Sequence, residues 1–400
     1  MQPWGAIVRT SVIVAGARTP IGKLLGSLKS FTAPQLGGIA IRAALERAGV
    51  SGDEIEAVIL GNVVQAGVGA NPARQAALAG GIAMSAPAVT LNKLCLSGLT
   101  AIAQADLAIR AGQATIALAG GIESMTNAPH LLRGARSGFK YGSAALEDSL
   151  DRDGLICSIE NRIMGAATES HQASLGLSRA EQDEFSAGSH QKAVAAIAAG
   201  RFVEEIVPVT ISTRAGDIVF DTDEGVRAGT TAETLAKLRP AFSVDGTITA
   251  GSASQLSDGG AALVVMDKDE AIRRGLSWLA EIVSYGTVAG PDASLLHQPA
   301  AAIHEALRRS GGLTVADLDV VELNEAFASV AIVSSRQLGL DPATVNPNGG
   351  AIALGHPVGM SGARLVLSLA LELRRRGGGI GAAALCGGGG QGDALIIRVP

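Results

Sequence analysis

What most constrains the fold of this chain is a unit that occurs in it twice. The first copy reads Leu94-Cys95-Leu96-Ser97-Gly98, an apolar helical run, Gly112, a short strand and Gly120-Gly121. The second reads Gly355-His356-Pro357, Ser361-Gly362, a helical run, Gly377-Gly378-Gly379, a strand and Cys386-Gly387-Gly388-Gly389-Gly390. Each copy follows a strand ending in asparagine: Ala57–Gly61 before Asn62, and Val320–Leu323 before Asn324. The helix over residues 98–111 is apolar on most faces, through Leu99, Ile102, Ala105, Leu107 and Ile109, which places it in an interior. Two α/β units that each bury such a helix predict a pseudo-symmetric body layered α/β/α/β/α, with mixed sheets. On this reading Cys95 and Cys386 stand at corresponding points of the two copies.

Apolar runs at Val12–Ala15 and Ala261–Met266 add strands, and helical spacing runs from Leu36 to a stop at Gly49 and from Ala300 to Arg309. The N-terminal half spans residues 1–124 and resumes over 256–277, and the C-terminal half spans 278–400. Residues 125–255 break the pattern and read as an inserted, loop-rich domain, the usual place for substrate contacts.

Composition narrows the class. Charged residues make up 17% of the 400, against roughly 25% in ordinary soluble chains. So low a share implies a thick core or an extensive subunit interface. A net charge of -5 argues against a nucleic-acid partner. Three cysteines, odd in number and far apart, suit a reducing compartment rather than a disulfide framework. No window reaches the ~18 apolar residues of a membrane span, and neither end carries a recognisable address, so a soluble cytoplasmic protein is expected.

The chemistry rests on few side chains. Cys95 immediately precedes a buried helix, whose N-terminal N–H groups are expected to lower its pKa and favour a thiolate. Cys386 precedes four glycines whose backbone N–H groups can turn inward as an oxyanion hole. Cys157 reads as an inert, small hydrophobe. His356 is fixed between a strand end and a helix start, where a general base is useful; the other five histidines have loop or helix-face contexts. Asn324 is open to two readings, a helix N-cap or an amide that positions a water or donates toward a carbonyl. Arg374-Arg375-Arg376 reads as a solvated complement to its helix end. No Cys or His pair shows metal-ligand spacing, and no dinucleotide-type glycine motif opens the first unit, so neither metal nor redox cofactor is expected.

With these residues in view the chain resembles the thiolase family, which includes acetyl-CoA acetyltransferases and 3-ketoacyl-CoA thiolases, over residues 11–399. The motifs are Asn92-Lys93-Leu94-Cys95 with Ser97-Gly98, Gly120-Gly121-Ile122-Glu123-Ser124-Met125, Asn324-Glu325-Ala326-Phe327, Gly349 to Arg364 and the Cys386 glycine loop. Asn71 to Gln75 and Thr249 to Ser254 match as well. The resemblance implies the thiolase fold, with acyl-CoA and CoA as partners, no cofactor, and a homodimer, commonly paired into a homotetramer through a segment near Ala128 to Gly142. It implies Cys95 as nucleophile, His356 as its base and Cys386 as the acid/base for the α-proton. Asn324 with His356 would form one oxyanion hole, and the N–H groups of Cys95 and Gly388 the other. Met164, Arg227, Phe242, Ser254 and Phe327 would line the coenzyme A channel.

Three positions depart from the family's usual pattern and bear on acyl-chain preference. Leu96 follows the nucleophile in place of Gly, Ile163 replaces a His common in acetyl-specific members, and Leu295 to Ala301 replaces a Gly-rich segment. The expected activity is reversible condensation of two acetyl-CoA to acetoacetyl-CoA, with thiolysis of longer 3-ketoacyl-CoA as the alternative. A decarboxylating ketosynthase would carry His or Asn in place of Cys386. A non-catalytic lipid carrier would tolerate loss of Cys95, His356 or Cys386, and all three are present.

Overall fold

The computed structural model describes residues 9–400. Its main sheet is built from β1 (Ser11–Arg18), β2 (Ala57–Gly61), β3 (Ala88–Leu91), β4 (Ile116–Ser124), β5 (Ser257–Asp267), β6 (Ala280–Ala289), β7 (Val320–Leu323), β8 (Gly379–Gly387) and β9 (Gln391–Val399). The principal helices are α1 (Ala33–Ala48), α2 (Pro72–Ala79), α3 (Ser97–Arg110), α4 (Met164–Gln172), α5 (Arg179–Ala198), α6 (Gln298–Arg309), α7 (Ala328–Leu338) and α8 (Ser361–Arg375).

The repeat is visible in the strand order. The N-terminal half runs β1-β5-β4-β2-β3, antiparallel for the first two pairs and parallel for the last two. The C-terminal half runs β6-β9-β8-β7 with the same alternation, and a single parallel bridge between Val321 and Val345 stands where a fifth strand would lie. The two halves are joined edge to edge, because β1 and β6 pair antiparallel at Val12 with Glu281 and Ile13 with Ala280. A two-residue strand at Gly22–Lys23 completes one continuous ten-stranded sheet.

Five layers follow from which faces are apolar. Helix α1 covers the outer face of the first half, where Ile41 and Leu45 meet Val58, Leu118 and Val264. Helix α6 covers the outer face of the second, where Ile303 and Leu307 meet Val321 and Ile396. Helices α3 and α8 lie between the halves, and Leu99, Ile102, Leu365 and Leu369 share one core with Leu263 and Leu395. Every residue of α8 from Ser361 to Leu373 is buried, and each large aliphatic side chain so placed contributes about 1.5–3 kcal/mol. The two central helices meet at their glycines. A Cβ on Gly98 would lie 2.8 Å from the Ala363 nitrogen, and one on Gly362 2.3 Å from the Leu99 nitrogen. The Ser-Gly dipeptide that opens both helices is therefore a packing requirement of the pseudo-twofold contact.

The inserted region is less loop-rich than the sequence suggests, because it holds the 20-residue helix α5. That helix buries Gln182, Asp183, Ser186, Ser189 and His190, so apolar periodicity gave no signal for it. The insertion is anchored to β1 by Arg18, which is fully buried and donates to both Asp223 oxygens at 2.7 and 2.8 Å and to Glu205 at 2.8 Å.

Candidate active site

The turn carrying Cys95 is strained and held by side chains on both sides. Leu94 sits at φ 54°, a left-handed conformation that costs a branched residue about 1–3 kcal/mol. The Asn92 carboxamide oxygen accepts the Leu94 N–H at 2.9 Å. The Ser97 hydroxyl accepts the Lys93 N–H at 2.8 Å and donates to the Leu94 carbonyl at 2.6 Å. This turn delivers Cys95 to the head of α3, as expected, but not as a preformed thiolate. The side chain is buried, and desolvation pushes the thiol up to about 12, with the nearby Glu123 carboxylate adding to the rise. Burial outweighs the helix end, so the thiol is protonated at rest and must be activated by a base.

His356 is built for that task. Its N–H donates to the Gln255 carbonyl and to the Ser257 hydroxyl, both at 3.1 Å, which pins the segment before α8. The Ser361 hydroxyl donates to the Pro357 carbonyl at 2.9 Å and lies 2.6 Å from His356 Nδ1. With the serine proton committed, Nδ1 must carry hydrogen and donate, leaving the Nε2 lone pair toward the site. Asn324 Nδ2 donates to that Nε2 at 3.3 Å. Burial, reinforced by Arg364, depresses the imidazole to about 3, so it is neutral and basic at ordinary pH.

Asn324 ends β7, its N–H donating to the Ala384 carbonyl at 2.9 Å. The N-cap of α7 is Phe327, which removes the capping reading of Asn324. Its carboxamide oxygen is buried without a protein partner, as befits an amide that orients a ligand or a water.

Cys386 lies near the end of β8, before the Gly388 to Gly390 turn that joins paired Gly387 and Gln391. Burial raises its thiol, and ionisation of Cys95 would raise it further. A Cβ on Gly388 would sit 2.6 Å from Leu94 Cδ1 and 2.9 Å from Met164 Sδ, so only glycine lets this backbone approach the nucleophile turn. Neither the Cys95 nor the Gly388 N–H donates to a backbone carbonyl among the described residues.

The strand registers correct the sequence alignment of the two thiols. Gly61 pairs with Gly121, and Leu323 pairs with Ala384, each just before its asparagine. Counting two residues on, the counterpart of Cys386 is Glu123. Because Ser97 matches Ser361, the counterpart of Cys95 is Gly359. In the first half Glu123 accepts from Asn62 Nδ2 at 2.7 Å, from the Val63 and Val64 N–H groups at 3.0 and 3.1 Å, and from the Gly359 N–H at 2.9 Å. Burial holds this carboxyl up to about 7, and the three backbone N–H donors pull against the rise. The first copy thus supplies the nucleophile Cys95 and, through Glu123, ties down the loop that follows His356, while the second supplies His356, Asn324 and Cys386. Sequence reasoning gave Glu123 and Ser361 no role. A carboxylate inside the apolar run Ile116–Ser124 was the available signal for the first, and no spacing rule exposes the second.

Of the proposed channel residues, Met164, Phe242 and Phe327 pack in one cluster with Cys386, and the two phenylalanines stack edge-on at 6.0 Å between centroids. Ser254 is placed beside them by its N–H, which donates to the Ala326 carbonyl at 3.0 Å. Arg227 is not in this cluster. It lies on an exposed turn with no ion-pair partner among the described residues, and its N–H donates to His190 Nδ1. Leu96 packs against Gly387 and is wholly buried, Ile163 is part-exposed beside Met164, and Leu295 and Leu296 join the Phe327 cluster. Cys157 is a buried free thiol. Arg374 pairs with Glu204, and Arg375 and Arg376 pair with Glu372, in keeping with a solvated helix end.

The chain matches the family model "Thiolase, N-terminal domain" over residues 11–269 and "Thiolase, C-terminal domain" over 276–399. It is 59% identical over 390 residues to the "Probable acetyl-CoA acetyltransferase" of Mycobacterium tuberculosis, covering 97% of this chain and 99% of that protein. It is 48% identical over 388 residues to the acetyl-CoA acetyltransferase of Pseudomonas aeruginosa, covering 96% and 98%. With the acetyl-CoA acetyltransferase of Escherichia coli it shares 46% over 392 residues, covering 98% and 99%.

Proposed function

Because this chain belongs to the thiolase family, we propose that its two buried thiols divide one acetyl transfer between them. The enzyme is an acetyl-CoA C-acetyltransferase, joining two acetyl-CoA to acetoacetyl-CoA and CoA, and in reverse cleaving 3-ketoacyl-CoA with CoA. The observations that support the assignment of roles are the approach of the Cys386 glycine loop to the Cys95 turn, at Gly388 and Leu94, and a His356 imidazole whose Nδ1 is engaged by Ser361 and whose Nε2 faces Asn324.

In the first half-reaction the Cys95 thiol gives its proton to His356 Nε2 and its sulfur attacks the thioester carbon. The oxyanion is received by the N–H groups of Cys95 and Gly388. As the carbonyl re-forms, CoA leaves as a thiolate and takes the Cys386 proton. In the second, the Cys386 thiolate removes an α-proton from a new acetyl-CoA. Its enolate oxygen is held by the imidazolium Nε2–H and by a water on Asn324. The enolate attacks acetyl-Cys95, and Cys95 leaves and recovers its proton from His356. The Cys95 proton returns from His356, the Cys386 proton leaves with CoA and is replaced by the α-proton of the second acetyl-CoA, and no step calls for a metal or redox cofactor.

Met164, Phe242, Phe327 and Ser254 would hold the pantetheine arm, and exposed Arg227 a phosphate. Three free cysteines support a reducing, cytoplasmic setting, and no helix among the described residues is long and apolar enough to cross a membrane. Leu132, Phe139 and Tyr141, all exposed in the segment near Ala128 to Gly142, support pairing of dimers into a tetramer there. Apolar Ile163 at the channel favours a second reading in which longer acyl chains are also accepted. Loss of 3-ketoacyl-CoA enolate absorbance on adding CoA tests both readings. Fast thiolysis of acetoacetyl-CoA is expected, and turnover confined to longer chains would overturn the acetyl assignment.

A further inference from the structure

Helices α5 and α7 flank a cavity of about 400 Å3. Phe185, Ile332, Leu340, Pro342 and Val345 supply apolar walls, and Glu325 and Asn346 lie at the floor. The wall opens at Gly188, where an added Cβ would meet nothing within 4 Å. Cavities of roughly 300–1,000 Å3 hold small-molecule ligands, and this one lies at the small end.

The polar groups facing the cavity are unbalanced toward donors. Lys192 Nζ donates to the Pro342 and Val345 carbonyls at 3.2 and 2.8 Å and has no carboxylate in ion-pair range among the described residues. An ammonium carries three hydrogens, so one remains unused. The Ser335 hydroxyl is buried and has no protein partner. The acceptors at the floor are already engaged: Glu325 takes hydrogen bonds from Ser189, Asn346 and the Ile352 N–H, and the Asn346 carboxamide oxygen takes the Leu323 N–H. Arg336, at the rim, is paired with Glu181. Two unfilled donors over an apolar chamber fit an apolar chain that ends in a strong acceptor.

We infer that this cavity is a second ligand site, distinct from the coenzyme A channel, that takes a medium-chain carboxylate with its head on Lys192 and Ser335 and its chain along Phe185 and Ile332. A carboxylate offers about four lone-pair sites and accepts ammonium and hydroxyl donors together, with the strength of a charge-assisted bond.

Octanoate is the probe, titrated calorimetrically into the full chain after its Cys95 has been carbamidomethylated, so that the active centre is closed. One site is expected, and acetyl-CoA should not displace the ligand. Lys192→Met and, separately, Gly188→Leu, which fills the chamber from an open wall, should each weaken binding about tenfold or more. Octanol, which keeps the chain and loses the charge, should bind at least about tenfold more weakly. Absence of binding at millimolar octanoate would overturn the inference. So would equal affinity for octanol, or unchanged affinity in a folded Lys192→Met protein. Gly188 is an interior helix position where leucine is favoured by about 1 kcal/mol, so that variant is expected to fold.

Discussion

At the scale of single residues, the site works by keeping its groups neutral until they are needed. His356 has a folded-state pKa of about 3, far below its ordinary value, so the base form persists throughout the working range. The sign follows: protons taken up between pH 8 and 5 do not reach Nε2, and the acetylation burst at Cys95 should be flat across that interval. A rapid-quench profile that falls by half near pH 6.5 would contradict this. Replacing His356 by Ala exposes the thiol's own titration, and alkylation of Cys95 should then climb with pH up to about 10 without levelling, because the thiol is held near 12. Ser361→Ala removes the acceptor that fixes the Nδ1–H tautomer, and kcat should fall by about 10-fold to 100-fold with little change in KM. The sequence announced Cys95, His356 and Cys386 through the glycines around them. It could not announce their protonation states, because burial is a property of the assembled halves, and the helix-end argument at Cys95 failed for that reason.

Among the elements, the contact of α3 with α8 decides how the halves register. Gly98→Ala or Gly362→Ala forces a methyl into backbone 2.8 or 2.3 Å away, and each should destabilise the fold by about 1–3 kcal/mol or more, seen as a lower denaturation midpoint. A variant with an unchanged midpoint would mean that the helices can slide apart. The two Ser-Gly openings and the apolar helices behind them were legible, as were the strands ending in Asn62 and Asn324. Helix α5 was not, since Gln182, Ser186 and His190 face inward and its pattern reads as a solvated stretch. Nor was the equivalence of Glu123 with Cys386, which only strand register reveals. Glu123→Gln keeps the size but puts an N–H2 against N–H donors, so it should loosen the Gly359 loop and slow acetylation of Cys95 by about tenfold.

On the scale of the whole molecule, duplication followed by divided labour describes the fold: the first half brings Cys95 and braces the His356 loop, the second brings His356, Asn324 and Cys386, and the insertion between them is pinned to β1 by buried charge. Arg18→Met strands Asp223 and Glu205 in the interior and should cost about 3–5 kcal/mol, with limited proteolysis opening the insertion first. The proposed assembly is checked by light scattering, where a particle of about 40 kDa would refute a dimer or tetramer. The division of labour between the thiols is the central claim, and a Cys386→Ala protein exposed to acetyl-CoA tests it most directly. The Cys95 peptide should gain about 42 Da, one acetyl group, while condensation to acetoacetyl-CoA falls by about 100-fold or more. A Cys386→Ala enzyme that condenses acetyl-CoA at near wild-type rates, or that carries its acetyl group on any residue other than Cys95, would contradict the account.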